Sequence, residues 1–183
     1  MLIKYTIYRT GYTGEDGIEL VLPAKMAGMA MKLLGGRFEK ETATLRPAGL
    51  GARDTLRTEA GLPLYGHELS EEIDPIEAGL GFAVSLEKDF IGAAALRAKV
   101  QTRKLVGLEL EGRRIARQGA IIQKSGQPIG VATSGTMSPT LGKSIAMAFV
   151  GLEHAAVGTA VDVELSGTPH AAKVVPLPFY KRA

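Results

Sequence analysis

The sequence predicts an α+β protein in two parts. A mixed helix–strand region occupies residues 1–100, and a small antiparallel barrel or sandwich occupies residues 101–183. Three observations carry this. Up to residue 100, helical apolar spacing alternates with short strand-like runs. Beyond it, six short alternating runs follow one another with turn residues between them. Gln101-Thr102-Arg103-Lys104 separates the two patterns, and 183 residues suffice for one good core or two small ones.

Lys4–Thr10 is rich in β-branched and aromatic residues and reads as a strand. Gly11-Tyr12-Thr13-Gly14-Glu15-Asp16-Gly17 is a tight loop, and Ile18–Leu22 returns as a second strand, so the pair is a hairpin. The three glycines serve turn geometry or a ligand's close approach, and the residues alone leave this open. No Gly-Lys-Ser/Thr follows, which argues against a phosphate loop. Pro23 suits a helix start. Met26, Met29, Ala30, Leu33 and Leu34 then repeat at helical spacing, with the methionines as core filler, and Gly35-Gly36 ends that helix. Phe38–Leu45 reads as a connection.

Pro47–Leu80 concentrates the ionisable groups. Ala52–Ala60 has helical composition, with Gly61 as its C′ residue. Arg53 and Arg57 share one face, and Asp54 is placed to pair with Arg57. A solvated charged face is the simpler reading. Against it, apolar, glycine-rich sequence hems this short helix on both sides, and a packed arginine needs a partner. Tyr65 follows in a loop. Glu68, Glu71, Glu72 and Asp74 after His67 read as a solvated run ending at Asp74-Pro75. The three histidines (His67, His154, His170) are scattered without metal-site spacing, so no metal is expected. Gly81–Leu86 reads as a strand and Ala93–Val100 as a helix.

The six later strands are Leu105–Leu110, Ile121–Lys124, Ile129–Ser134, Ile145–Val150, Val161–Leu165 and Ala171–Val175. Ser125-Gly126-Gln127 turns the second onto the third. Thr133–Leu141 reads as the longest polar loop. No base lies close in sequence to its serines, which argues against hydrolase chemistry.

A net charge of +3, from 22 basic and 19 acidic residues, suits an anionic small ligand or an acidic partner. It is too weak, and too dispersed, for nucleic acid. No stretch reaches the roughly 20 apolar residues that span a bilayer. The absence of cysteine removes disulfides and thiolate chemistry and fits a cytoplasmic protein. Met1-Leu2-Ile3-Lys4-Tyr5 runs straight into a strand with no signal peptide, which reads as a piece of something longer.

Four blocks resemble the T protein of the glycine cleavage system, a tetrahydrofolate-dependent aminomethyltransferase. They are RTGYTGEDGIEL (9–20), GLGARDTLRTEAGLPLYGHEL (49–69), DFIGAAAL (89–96) and TSGTMSPTLGKSIAMAFV (133–150). They keep the family's order, with Thr58 where the family more often has leucine. The resemblance implies a partial folate-binding α/β region over 1–100 and a C-terminal β-barrel over 101–183. All four blocks are expected to belong to the C-terminal portion of a T protein, with the N-terminal portion and its catalytic aspartate outside this chain. No residue here, including Asp16 and Asp54, is therefore assigned that role. The resemblance makes Tyr12, Glu19 and Arg53 folate-binding residues, with Tyr65 as a further aromatic of the pocket wall. Glu19 suits the donor edge of a pterin, and Arg53 an anionic or carbonyl-bearing ligand. The implied partners are tetrahydrofolate and the lipoylated H protein, with self-association of the chain as a further expectation and no activity expected of it alone. The alternatives are the folate domain of a sarcosine or dimethylglycine dehydrogenase, or a non-catalytic folate-binding relative. The iron–sulfur-assembly branch is disfavoured by the missing cysteine.

Overall fold

In the computed structural model, residues 4–35 and 45–182 are described. The hairpin pairs β1 (Thr6–Tyr8) with β2 (Glu19–Val21) antiparallel, Tyr8 opposite Glu19. A single 3-10 turn, Ala24–Met26, leads into α1 (Ala27–Gly35). Pro23 caps the 3-10 turn rather than starting α1. The apolar stripe of α1 does not become core: Met29, Leu33 and Leu34 lie exposed. The connection expected over Phe38–Leu45 lies outside the described residues except for Leu45.

α2 (Leu50–Glu59) begins after Gly49, and Gly61 takes the left-handed conformation just past its end, as a C′ glycine does. No strand forms over Gly81–Leu86. A 3-10 turn over Gly81–Ala83 stands there instead, closed by Ala83 N–H to the Leu80 carbonyl. Gly79, at positive φ, has already turned the chain ahead of this segment. α3 is shorter than its sequence pattern, Ala93–Ala98.

The second part is a closed six-stranded antiparallel barrel. Its strands are β3 (Arg103–Leu110), β4 (Ile121–Lys124), β5 (Gln127–Ser138), β6 (Lys143–Gly151), β7 (Ala160–Leu165) and β8 (Thr168–Val175). They pair around the barrel in the order β3-β6-β5-β4-β7-β8 and back to β3. Closure removes the sheet edges, and Leu108, Ile122, Val150, Val163 and Val174 fill the interior. Ser125-Gly126 and Ser166-Gly167 turn two hairpins with both residues at positive φ, the combination a type I′ turn requires.

The polar run from Thr133 is not a loop: β5 continues through it to Ser138. A bulge at Thr133 shifts the register with β6, so that Ala132 faces Ala148 and Ser134 faces Met147. Ser134, Thr136 and Ser138 then alternate along the strand and meet α2. A smaller apolar cluster of Leu105, Met147 and Phe149 packs against Ile73, Leu177 and Phe179. These contacts hold the 60–80 segment and the C-terminal tail against the outside of the barrel.

Candidate functional site

α2 is joined to the barrel by polar groups. Thr55 Oγ1 lies 3.1 Å from Thr136 Oγ1. Arg57 Nη2 donates to Ser134 Oγ at 2.6 Å. Glu59 accepts from the Ser138 hydroxyl and, at 2.8 Å, from the Thr140 hydroxyl. Arg57, Thr58 and Glu59 are all buried. A charged residue survives burial only when its hydrogen-bonding groups are matched. Arg57, 1% exposed, meets that demand. Its Nε and Nη2 both reach Asp54 Oδ1 at 2.8 Å, and its Nη1 reaches Glu68 Oε2 at 3.0 Å.

Glu68 corrects the reading of the acidic run as solvated. It is fully buried, and Oε2 also takes the Leu64 N–H at 2.9 Å. Its other oxygen, Oε1, is buried without a hydrogen-bond partner. Asp74 is also tied down, accepting from the Ile76 and Glu77 N–H groups at 2.8 and 2.9 Å and from Lys99 Nζ at 2.7 Å. Burial pushes its carboxyl up, but the hydrogen bonds from Lys99, Glu77, Gln101 and Ile76 outweigh this and hold it down at about 2. Glu71 and Glu72 remain exposed.

On the solvent side of this joint is a cavity of about 310 Å³, lined by Tyr12, Leu50, Arg53, Asp54, Arg57, Leu64 and His67. The Arg53 guanidinium stacks over the Tyr12 ring, 4.9 Å from its centroid. The Tyr12 hydroxyl donates to the Pro63 carbonyl. Burial raises the pKa of the phenol, partly offset by Arg57, so Tyr12 stands as a neutral aromatic wall. His67 directs Nδ1 to the Thr133 carbonyl at 2.8 Å, with Ser134 Oγ at 3.2 Å. The bulge at Thr133 turns that carbonyl toward the cavity wall instead of the β6 ladder. Ser134 is thus brought beside an imidazole that sequence distance hid, but the facing Nδ1 carries its hydrogen toward the Thr133 carbonyl and the serine is buried and already accepts from Arg57.

Of the four residues singled out from sequence, Tyr12 and Arg53 meet in this cavity. Glu19 lies exposed on β2, taking the Thr10 hydroxyl at 2.5 Å, and is not among the lining residues. Tyr65 is 68% exposed and also lies outside the lining. Arg57, Glu68 and His67 were not assigned to the site. The i, i+3 spacing of Asp54 and Arg57 was the available signal, whereas the other partners are distant in sequence. Asp16 pairs with Arg182 at 2.8 Å, and Tyr180 donates to Glu15 at 2.6 Å, so the tail ties down the hairpin tip. Among the described residues, no group of three His, Asp or Glu side chains is arranged to hold a metal ion.

Residues 103–181 match the family described as the glycine cleavage T-protein C-terminal barrel domain, and residues 1–88 match the GCVT N-terminal domain. The chain belongs to the glycine cleavage T-protein family. It is 47% identical to the aminomethyltransferase of Geobacillus kaustophilus over 99% of this chain and 50% of that protein. It is 50% identical to that of Oceanobacillus iheyensis over 98% of this chain and 49% of that protein. A solved T protein, the glycine cleavage system aminomethyltransferase T from Bartonella henselae, superposes with a TM-score of 0.86 at 40% identity, covering 97% of this chain and 50% of that one. The chain therefore spans about half the length of the T-protein relatives it matches. The match of residues 1–88 overturns the expectation that all the family blocks lie in a C-terminal portion: the first two fall within the family's N-terminal domain. The hairpin tip and α2 carry those two blocks, so local glycine-rich turns and a short helix did not reveal to which family domain they belong. Among the described residues, no helix is long and apolar enough to cross a membrane.

Proposed function

We propose that this chain forms a tetrahydrofolate-binding wall of a glycine cleavage aminomethyltransferase. In that reaction an aminomethyl group arrives on the lipoyl arm of the H protein. Ammonia is released, and the one-carbon unit passes to tetrahydrofolate as 5,10-methylenetetrahydrofolate. A cysteine-free chain working in the cytoplasm fits the reading. The observation that carries it is the Tyr12–Arg53 pair: a flat aromatic under a guanidinium, at the mouth of a cavity sized for part of a heteroaromatic ligand. Such a surface stacks a pterin ring and offers donors to its carbonyl. Glu19 and Tyr65 would join the site from outside the cavity lining, Glu19 receiving the amino-pyrimidine donors. Binding both reactants in register would supply much of the rate enhancement.

No residue of this chain is given the catalytic proton transfer. Asp54, the aspartate of the cavity lining, is held by Arg57, and Asp16, at the hairpin tip, by Arg9 and Arg182. Calorimetric titration with tetrahydrofolate tests the reading. Arg53→Ala and Glu19→Ala are each expected to weaken binding by about tenfold, roughly 1.4 kcal/mol. Unchanged affinity in both variants would remove the assignment. With this chain as the sole T component, ammonia release from aminomethyl-loaded H protein is expected at background.

A further inference from the structure

The cavity lining offers both donors and acceptors. Arg53 and Arg57 only donate, and the Tyr12 hydroxyl, having given its proton to Pro63, can only accept. Asp54 accepts, its Oδ1 taking the Nε–H of Arg57 at 2.8 Å. His67 is different. A carbonyl oxygen can only accept, so the 2.8 Å contact with Thr133 requires the hydrogen on Nδ1. In the neutral ring that leaves a lone pair on Nε2, which has no hydrogen-bond partner among the described residues. The bulge in β5 therefore fixes the tautomer of a half-buried imidazole that lines the cavity.

We propose that Nε2 of His67 is a hydrogen-bond acceptor for the ligand of the Tyr12–Arg53 cavity, selecting a molecule that presents an N–H donor beside its carbonyl or anionic group. The inference rests on the folate reading, since a reduced pterin offers such donors, and it adds a specificity-determining residue to that site. His67 is a binding group here, with no proton-transfer step assigned to it.

The test compares wild type with His67→Asn and His67→Phe by calorimetric titration with tetrahydrofolate. Asparagine can keep the N–H that reaches Thr133 while removing the Nε2 position, whereas phenylalanine keeps only the ring. Both variants are expected to lose affinity by about tenfold, the worth of one hydrogen bond in a desolvated site, with His67→Asn melting close to wild type. Nitrogen-15 spectra of the wild-type histidines, assigned by the signal that His67→Asn deletes, give a readout independent of stability. The Nε2 resonance is expected to move on saturation with tetrahydrofolate. Wild-type binding with full affinity in His67→Asn, or with a stationary Nε2 resonance, would reduce His67 to a tether and overturn the inference alone. No binding by wild type would overturn the folate reading and this inference together.

Discussion

The barrel and the amino-terminal hairpin are built from similar residues and end in opposite environments. In the barrel, alternating Val, Ile, Leu and Ala close an interior in which Leu108, Ile122 and Val163 lose all contact with water. In the hairpin, Tyr5, Ile7, Tyr8, Ile18, Leu20 and Val21 are as apolar and as strand-prone and yet remain exposed. Residue type and pattern specify a strand, but burial depends on whether a second surface meets it. The region joining the two parts shows a third arrangement. Arg57, Glu59 and Glu68 are buried there as charges, held by hydroxyls of a barrel strand and by one another. The barrel is held by apolar contact, whereas the joint is held by paired polar groups, all but Glu68 Oε1 matched, whose loss is costly because each leaves its partner stranded.

Breaking that joint should give the largest effect. Arg57→Ala removes the guanidinium and leaves Glu68 buried beside a hole, with Ser134 and Asp54 unmatched. The expected loss is about 3–5 kcal/mol, the usual cost of removing one partner of a buried pair. Urea denaturation measures it. Replacing both partners, Arg57→Met with Glu68→Leu, should recover much of the loss because no charge is then stranded. A single-variant loss below about 1 kcal/mol would show that apolar contacts, not the joint, hold α2 to the barrel.

The same joint marks how far sequence reasoning reaches. The end of α2 was legible because Gly61 punctuates it, although its start was read at Ala52 rather than Leu50, and the Asp54–Arg57 pair was legible because helical spacing places them together. The barrel strands were legible from alternation and turn residues, though their ends were read short. Which of Arg53 and Arg57 goes inside was not legible: one turn apart, they differ only in what stands opposite. The partners of Arg57 lie 11 and 77 residues away, at Glu68 and Ser134. The run from Thr133 to Ser138 read as a loop because polar side chains on a strand usually mean water, and here they mean α2. The acidic run failed for the same reason, since Glu68 and the exposed Glu71 and Glu72 are chemically alike and only tertiary placement separates them.

Asp74 gives a medium-sized effect with a sign that can be worked out. Its folded value, about 2, lies below the unfolded value of 3.8. A depressed carboxylate contributes stability that is fully present above the unfolded value and lost as pH falls through the folded one. The difference corresponds to about 2 kcal/mol, lost progressively between about pH 5 and pH 2. Asp74→Asn should flatten that part of the pH profile of urea denaturation while costing stability at neutral pH. A wild-type profile as steep as the variant's would mean that Lys99 and the two backbone N–H groups do not favour the ionised form.

The smallest stability effect should come from the hairpin, where the comparison with the barrel can be sharpened most cleanly. Ile7 is 53% exposed and pairs with Leu20, itself exposed. Ile7→Ser with Leu20→Ser should therefore shift unfolding by no more than about 0.5 kcal/mol per site, because little apolar area returns to water. The same pair should change behaviour between molecules. Two short strands with open edges and exposed apolar side chains present a surface that a second copy of the chain can cover. Light scattering of wild type should show concentration-dependent association that the double variant loses. A strictly monodisperse wild-type monomer would show that these side chains tolerate water without a partner. A large stability loss in the variant would show instead that the hairpin, like the barrel, contributes substantially to holding the fold.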